Sequence, residues 1–455
     1  MDPTASAPAL PAGGLEAAVG AAVDQIKSFR LRIWAPVLLG IVMLFDTWDS
    51  SVVSYVMPSL VAQWHLKPVV IGFLISSGFA GQFIGALTLG TLAERFGRMP
   101  VFLVAMTGVS VFAILCALTQ DYRSLMAVRF VQGIMIGGSI PVVITYINEL
   151  APAHARGRYF AIFQFFNQWG SLAAAFSSVV IIPTLGWHVM FGLGAMPVLL
   201  LPLVIMTLPE SPRWLARAGR IAKLNAALVQ LGGQAITDAD TIANTKAVNV
   251  PRTPLSALFA PEFRRRTIVA LSLWFLTPLV GFGLATWAPS IYVTVFHVPI
   301  QTALSYSSAG ILFFVLSMPL VAIIIDRVGR RRLGMTLACV AMTALFCIPI
   351  IGASRPIFVV ALVVLGQVTT YDITLTLWSY SAEIYPTRVR AMALGLLSSF
   401  ARGASMLSPA IVGGILAVTG SVMPIFILFG LCCLTVMLLW IFCTRETARK
   451  SLEEI

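Results

Sequence analysis

The chain has 455 residues, of which 58% are hydrophobic and only 11% charged, with a mean hydropathy of +0.92. That balance excludes a soluble globular domain. It also turns the formal net charge of +12 into a topology signal rather than a sign of nucleic-acid binding. Four stretches, 101–120, 159–209, 267–325 and 403–444, contain no Asp, Glu, Lys or Arg. A helix needs about 20 apolar residues to cross a bilayer core. Cut at Pro, Gly and polar clusters, the chain yields twelve spans, which predicts an all-α membrane protein.

In chain order, residues 1–32 form an N-terminal tail, expected to be cytoplasmic. Its first 25 residues are rich in Ala, Pro and Gly and are expected to be disordered. Spans at 33–58, 69–92, 99–119, 123–147, 158–182 and 188–208 make a first six-helix bundle, 33–208. Midway along the first span stand Asp46 and Asp49. Three residues apart, they share one helix face. Two carboxylates that close do not readily ionise together, which suits a proton-coupled carrier. Arg129 opens the run Arg129-x-x-x-Gly133-x-x-x-Gly137-Gly138 in span four. That small-residue face is expected to pack tightly on a neighbouring helix and draw Arg129 into the bundle. Gln132, Gln164, Asn167, Gln168 and Trp169 give spans four and five a polar and aromatic surface for a central cavity.

Residues 209–266 are polar and basic, a linker with a helix start at Ser211-Pro212-Arg213. Spans at 267–296, 302–325, 333–352, 357–382, 391–418 and 421–443 make the second bundle, 267–443, and 444–455 is a C-terminal cytoplasmic tail. Trp287 and Trp378 are further aromatic candidates for the cavity. Asp372 in span ten and Arg402 in span eleven are ionisable at membrane depth, where charge is costly and usually functional. Arg402 is read either as the grip on a substrate carboxylate, which a guanidinium holds bidentately, or as the partner of Asp372.

Of the 30 Lys and Arg residues, 25 fall in alternate loops and both tails, and three, Lys67, Arg123 and Arg355, in the opposite loops. By the positive-inside rule the first set is cytoplasmic, with both termini inside. The six cysteines have no metal-ligand or redox spacing. Nucleotide loops and nucleophile–base sets are missing from the sequence. No enzyme activity, no metal and no cofactor are therefore expected, the proton being the coupling ion.

Two signatures occur twice. Glu94-Arg95-Phe96-Gly97-Arg98 returns as Asp326-Arg327-Val328-Gly329-Arg330, an offset of 232 (326 − 94). Glu149 with Arg156 returns as Glu383 with Arg390, an offset of 234 (383 − 149). Such a period marks a duplicated half-protein, the plan of transporters whose halves rock around a shared site. An acid and an Arg beside a Gly turn can clamp neighbouring helix ends, either as a gate that breaks in the cycle or as a fixed brace.

These repeats, with Pro209-Glu210-Ser211-Pro212-Arg213-Trp214-Leu215, resemble the motif set of the major facilitator superfamily. The likeness is to its sugar porters, aromatic-acid/proton symporters and organic-ion transporters. The resemblance implies two pseudo-symmetric six-helix bundles and alternating access. It also implies proton coupling at Asp49 with Arg129, Asp46 being the second acid of an Asp-x-x-Asp pair. Arg402 resembles an anion-recognising Arg of organic-anion transporters, and Gln164 and Trp378 resemble substrate contacts of sugar porters. The Gln-Gln pair expected in span seven of sugar porters is absent, with Leu276-Thr277 in its place, which lowers the sugar reading.

The resulting expectation is a monomeric inner-membrane (plasma-membrane) symporter that imports a small organic anion, an aromatic or heteroaromatic carboxylate, with protons. The alternatives are a proton/drug antiporter, a sugar or polyol symporter, and a non-transporting receptor. Its partners are the substrate, protons and the lipid bilayer, with no nucleic acid.

Overall fold

The structure is a computed structural model that describes residues 14–26, 28, 33–152, 155–236, 255–351 and 356–447. Among the described residues, twelve helices or helix pairs are long and apolar enough to span a bilayer. In hydrocarbon every backbone N–H and C=O must be satisfied within the segment, and helices do this.

A short helix α1 (Gly14–Gln25) precedes the spans. The first half then contains α2 (Ala35–Trp64), α3 (Pro68–Phe96), α4 (Arg98–Leu118), α5 (Tyr122–Leu150), α6 (Arg156–Leu185) and a broken sixth span, α7 (Trp187–Leu193) with α8 (Pro197–Thr207). The linker carries α9 (Pro212–Arg217) and α10 (Ile221–Gln230). Ser211 caps α9, its hydroxyl accepting from the Trp214 amide at 3.2 Å. The second half contains α11 (Arg264–Thr294), α12 (Ile300–Val328), α13 (Arg330–Ile351), α14 (Pro356–Ile384), α15 (Thr387–Thr419) and α16 (Met423–Phe442). The helix ends fall within a few residues of the expected spans.

The N-terminal tail corrects one expectation. Residues 14–25 are helical, and Leu15, Val19, Val23 and Ile26 are buried in one cluster with Leu224, Leu228 and Leu231. Their spacing of four, four and three is one apolar helix stripe, masked by Ala-rich surroundings. α1 packs on α9, and the Ser28 hydroxyl donates to the Leu231 carbonyl at 2.5 Å.

The charged helix ends gather at one face, called here the basic face. The buried apolar residues show how the halves meet. At the far face one cluster contains residues of both halves, from Val52 and Leu74 to Ile291 and Val412. Toward the basic face the core divides into one cluster of the first half with the linker and another of the second half. The halves touch along α3–α15, α6–α12 and α2–α11. The molecule is closed at the far face and parted at the basic face.

Candidate functional site

Glycines position the first site. Gly133 sits where an added Cβ would lie 3.2 Å from the Gln82 amide, and one at Gly81 would lie 3.0 Å from the Gly133 Cα. α3 and α5 are thus in backbone contact, as expected, and Arg129 is carried inside the bundle, only 2% exposed. Its Nη1 donates to Gln132 Oε1 at 2.8 Å, and its guanidinium lies 5.6 Å from the Phe191 ring centroid. Gln132 is held in turn, its amide donating to the Val109 carbonyl at 3.4 Å.

Asp49 faces this group from α2. It is fully buried, and neither carboxylate oxygen has a hydrogen-bond partner. Arg129 acts on it through space but forms no ion pair with it. The break between α7 and α8 closes the pocket, since a Cβ on Gly194 would meet the Asp49 carboxyl carbon at 2.8 Å. The sequence suggested one unbroken sixth span. Gly192, Gly194 and Pro197 interrupt it where the backbone must approach the acid.

Asp46 points elsewhere. It is 1% exposed and accepts from the Ser139 hydroxyl at 3.0 Å. The charges that act on it are Asp49, three residues along α2, and one from the second half. Arg402 of α15 donates to the Gly137 carbonyl at 3.1 Å across the interface, and its charge acts on Asp46. The alternative pair of Arg402 with Asp372 is not formed. α15 turns Arg402 toward the first half, whereas Asp372 faces α12, with Oδ1 2.8 Å from the Ser317 hydroxyl oxygen.

The remaining candidates divide. Asn167 is 7% exposed and braces two helices, its amide donating to the Met43 carbonyl at 2.7 Å. Gln132, expected on the cavity wall, lies wholly inside the bundle instead. Trp287 is buried in the second half and donates to the Pro409 carbonyl at 3.2 Å. Gln164 and Gln168 are half-buried on α6, and Trp169 is exposed, edge-on to Phe165. Trp378 is exposed and stands perpendicular to Trp274 at 4.7 Å.

At the basic face the duplicated motifs build two similar knots, each inside one half. Arg98 holds Glu149 through Nε at 3.3 Å and Nη2 at 3.1 Å, and Arg217 of α9 bonds the same carboxylate. Arg330 reaches Glu383 at 3.0 Å and Asp326 at 2.8 Å. Glu94 and Arg95 are exposed, with the Glu94 carbonyl accepting from Trp214. Arg390 donates to the Tyr385 carbonyl at 3.2 Å. The Arg156 side chain lies outside the described residues.

Two further acids belong to the knots: Glu210, which the sequence places in the Pro209–Leu215 motif without a role, and Glu446, which it does not single out. Glu210 caps the start of α4, accepting from the Arg98 and Met99 amides at 3.0 and 3.3 Å. Glu446 caps α13 in the same way, from Arg330 and Arg331 at 2.8 and 3.2 Å. Each cap occupies the space beside a Gly at positive φ, Gly97 at 112° and Gly329 at 96°. Burial pushes the Glu210 carboxyl above its ordinary range, against the pull of the Ser211, Met99 and Arg98 amides. The 236-residue spacing of Glu210 and Glu446 (446 − 210) is a third repeat that marks the pair.

The Arg98–Glu149 pair is nearly buried, with side chains 4% and 10% exposed. Arg98→Ala is therefore expected to lower the melting temperature, at the low end of about 3–5 kcal/mol because Arg217 still pairs with Glu149. It is also expected to slow turnover at least tenfold, while equilibrium binding at the centre stays within about twofold. Unchanged turnover in reconstituted vesicles would rule out a part for this knot in the rocking motion.

Residues 39–455 match the family model described as "Sugar (and other) transporter". The chain is 30% identical over 425 residues to the "Niacin transporter NiaP" of Acinetobacter baylyi, covering 92% of this chain and 95% of the relative. It is 29% identical to the "Gallate transporter" of Pseudomonas putida, covering 87% and 88%. The fold matches a crystal structure of a D-xylose-proton symporter with a TM-score of 0.74 at 19% identity, over 92% of this chain and all of that one. The chain is a multi-pass membrane transporter, not an enzyme, and belongs to the sugar (and other) transporter family of the major facilitator superfamily.

Proposed function

We propose that this transporter imports a small organic anion, an aromatic or heteroaromatic monocarboxylate, together with protons across the inner (plasma) membrane. Both termini and the basic face lie in the cytoplasm, as the distribution of Lys and Arg indicates. On that orientation the molecule is open inward. The niacin and gallate transporters among its relatives carry names consistent with an aromatic acid. Asp49 and Arg129 form the proton-responsive element, and Arg402 takes the carboxylate.

The observation that carries the substrate reading is the position of Arg402. It is a cation at mid-depth whose side chain crosses from one half to the other, and its protein partners are a backbone carbonyl and, through space, Asp46. An incoming carboxylate finds a guanidinium held by a neutral acceptor rather than locked in an ion pair. Contact with both halves makes its occupancy a signal to each.

The test is equilibrium binding of an aromatic carboxylate and its uncharged amide to the purified protein. A charge-assisted hydrogen bond is worth about 1.5–3 kcal/mol, so Arg402→Ala is expected to weaken the acid about ten- to a hundredfold. Arg402→Lys keeps the charge, loses the fork and falls between. The amide is expected to bind weakly and to be indifferent to both changes. Equal affinity of the wild-type protein for acid and amide would end the organic-anion assignment.

A further inference from the structure

The second half holds a buried acid that the cycle above does not use. Asp372 lies midway along α14 and is 4% exposed. Its hydrogen-bonding neighbour is Ser317 of α12, whose hydroxyl lies 2.8 Å from Oδ1. The same hydroxyl lies 2.7 Å from the Phe314 carbonyl, three residues back on its own helix. A hydroxyl has one hydrogen, and a carbonyl can only accept. With the Ser317 hydrogen on Phe314, the hydrogen between Ser317 and Asp372 belongs to Asp372.

The helices packed around Asp372 supply no countercharge. α11 and α13 carry their charged residues, Arg264–Arg266 and Arg330–Arg332, at the basic face, as α12 does with Asp326 and Arg327. Arg402 of α15 is turned to the first half. On α14 itself Glu383 is paired with Arg330, and Tyr371 packs its ring against Phe314 at 4.8 Å. An ionised carboxylate here bears its desolvation cost with one hydroxyl and no countercharge to offset it. A protonated one has a donor and an acceptor, and Ser317 matches it.

We propose that Asp372 and Ser317 form a second proton-binding site, loaded in the inward-open state and separate from the acids of the first half. The occupancy of this site stands on its own geometry, and only its part in transport rests on the proton-coupled reading above. If Asp372 also unloads during the cycle, two protons accompany each monocarboxylate, and uptake carries one net positive charge inward. A single site in the first half gives electroneutral uptake.

Infrared spectroscopy of the substrate-free protein in detergent tests occupancy. The wild-type spectrum is expected to contain a carboxylic-acid C=O band that Asp372→Asn removes and Ser317→Ala shifts, and that persists in Asp49→Asn. A wild-type spectrum unchanged by Asp372→Asn overturns the site. Uptake into vesicles under an imposed voltage tests the cycle: wild type is expected to respond, and Asp372→Asn to keep pH-driven uptake while losing the voltage response. An unchanged voltage response in that variant overturns its role in transport. Failure of the proton-coupled reading would show instead as wild-type uptake that a pH gradient does not drive uphill, which neither readout confuses with failure at Asp372.

Discussion

Asp49→Asn is expected to abolish uphill accumulation driven by a pH gradient while leaving downhill exchange of substrate measurable. Asp49 has no solvent and no hydrogen bond, and Arg129 spends its Nη1 on Gln132 instead. That arrangement suits a neutral acid. Ionising Asp49 would leave an uncompensated buried charge costing several kcal/mol, until Arg129 leaves Gln132 and pairs with it. A bias of that size moves a two-state equilibrium by orders of magnitude. Asn keeps the neutral shape and removes the titration, so the protein keeps its resting arrangement and loses the link to the proton. The measurement is radiolabelled uptake into proteoliposomes, with and without a pH gradient, beside counterflow exchange. Normal accumulation by the variant would remove Asp49 from the coupling mechanism. Asp46→Asn is expected to act more mildly, shifting the pH optimum, because Asp46 is held by Ser139 and faces Arg402 rather than Arg129.

The spans were legible because hydrocarbon imposes long apolar helices and the loop charges impose their direction. The placement of charge inside the bundles was legible where an ionisable residue interrupts apolar sequence, as Asp46, Asp49, Arg129 and Arg402 do. The rotation of each helix was not legible. A helix apolar on nearly every side gives no 3.6-residue stripe to say which face looks inward. For that reason Asn167 and Trp287 looked like cavity walls and lie between helices, and Arg402 looked as close to Asp372 as to the first half. Polar segments failed differently. The four apolar residues of α1 are diluted by Ala, and Glu446 is one of several charges in the tail, where only its distance from Glu210 shows its role.

Closure of the far face rests on two glycines, and enlarging either is expected to hold the transporter outward-facing. α3 and α15 meet there in backbone contact. A Cβ on Gly72 would stand 2.6 Å from the Pro409 carbonyl oxygen and 3.1 Å from the Ala410 Cα, and one on Gly413 would stand 2.5 Å from the Pro68 carbonyl oxygen. The obstructing atoms are backbone, so no rotamer change relieves the overlap, and the helices must separate. Overpacking of this kind costs about 1–3 kcal/mol for small additions, enough to change the ratio of inward- to outward-facing molecules about five- to a hundredfold. Gly72→Ala should sit at the low end and Gly72→Leu at the high end, with Gly413→Ala and Gly413→Leu in parallel. Transport should fall in that order, while binding from the far side is kept, because the proposed substrate site at Arg402 lies deeper along α15 and is untouched. A single cysteine introduced at Ile75, buried on α3 within the fused far-face cluster, should become reactive to a membrane-impermeant thiol reagent in the same order, with native cysteines removed. Wild-type turnover with an unreactive cysteine at Ile75 in Gly72→Leu would mean that α3 and α15 do not have to touch for the far face to close.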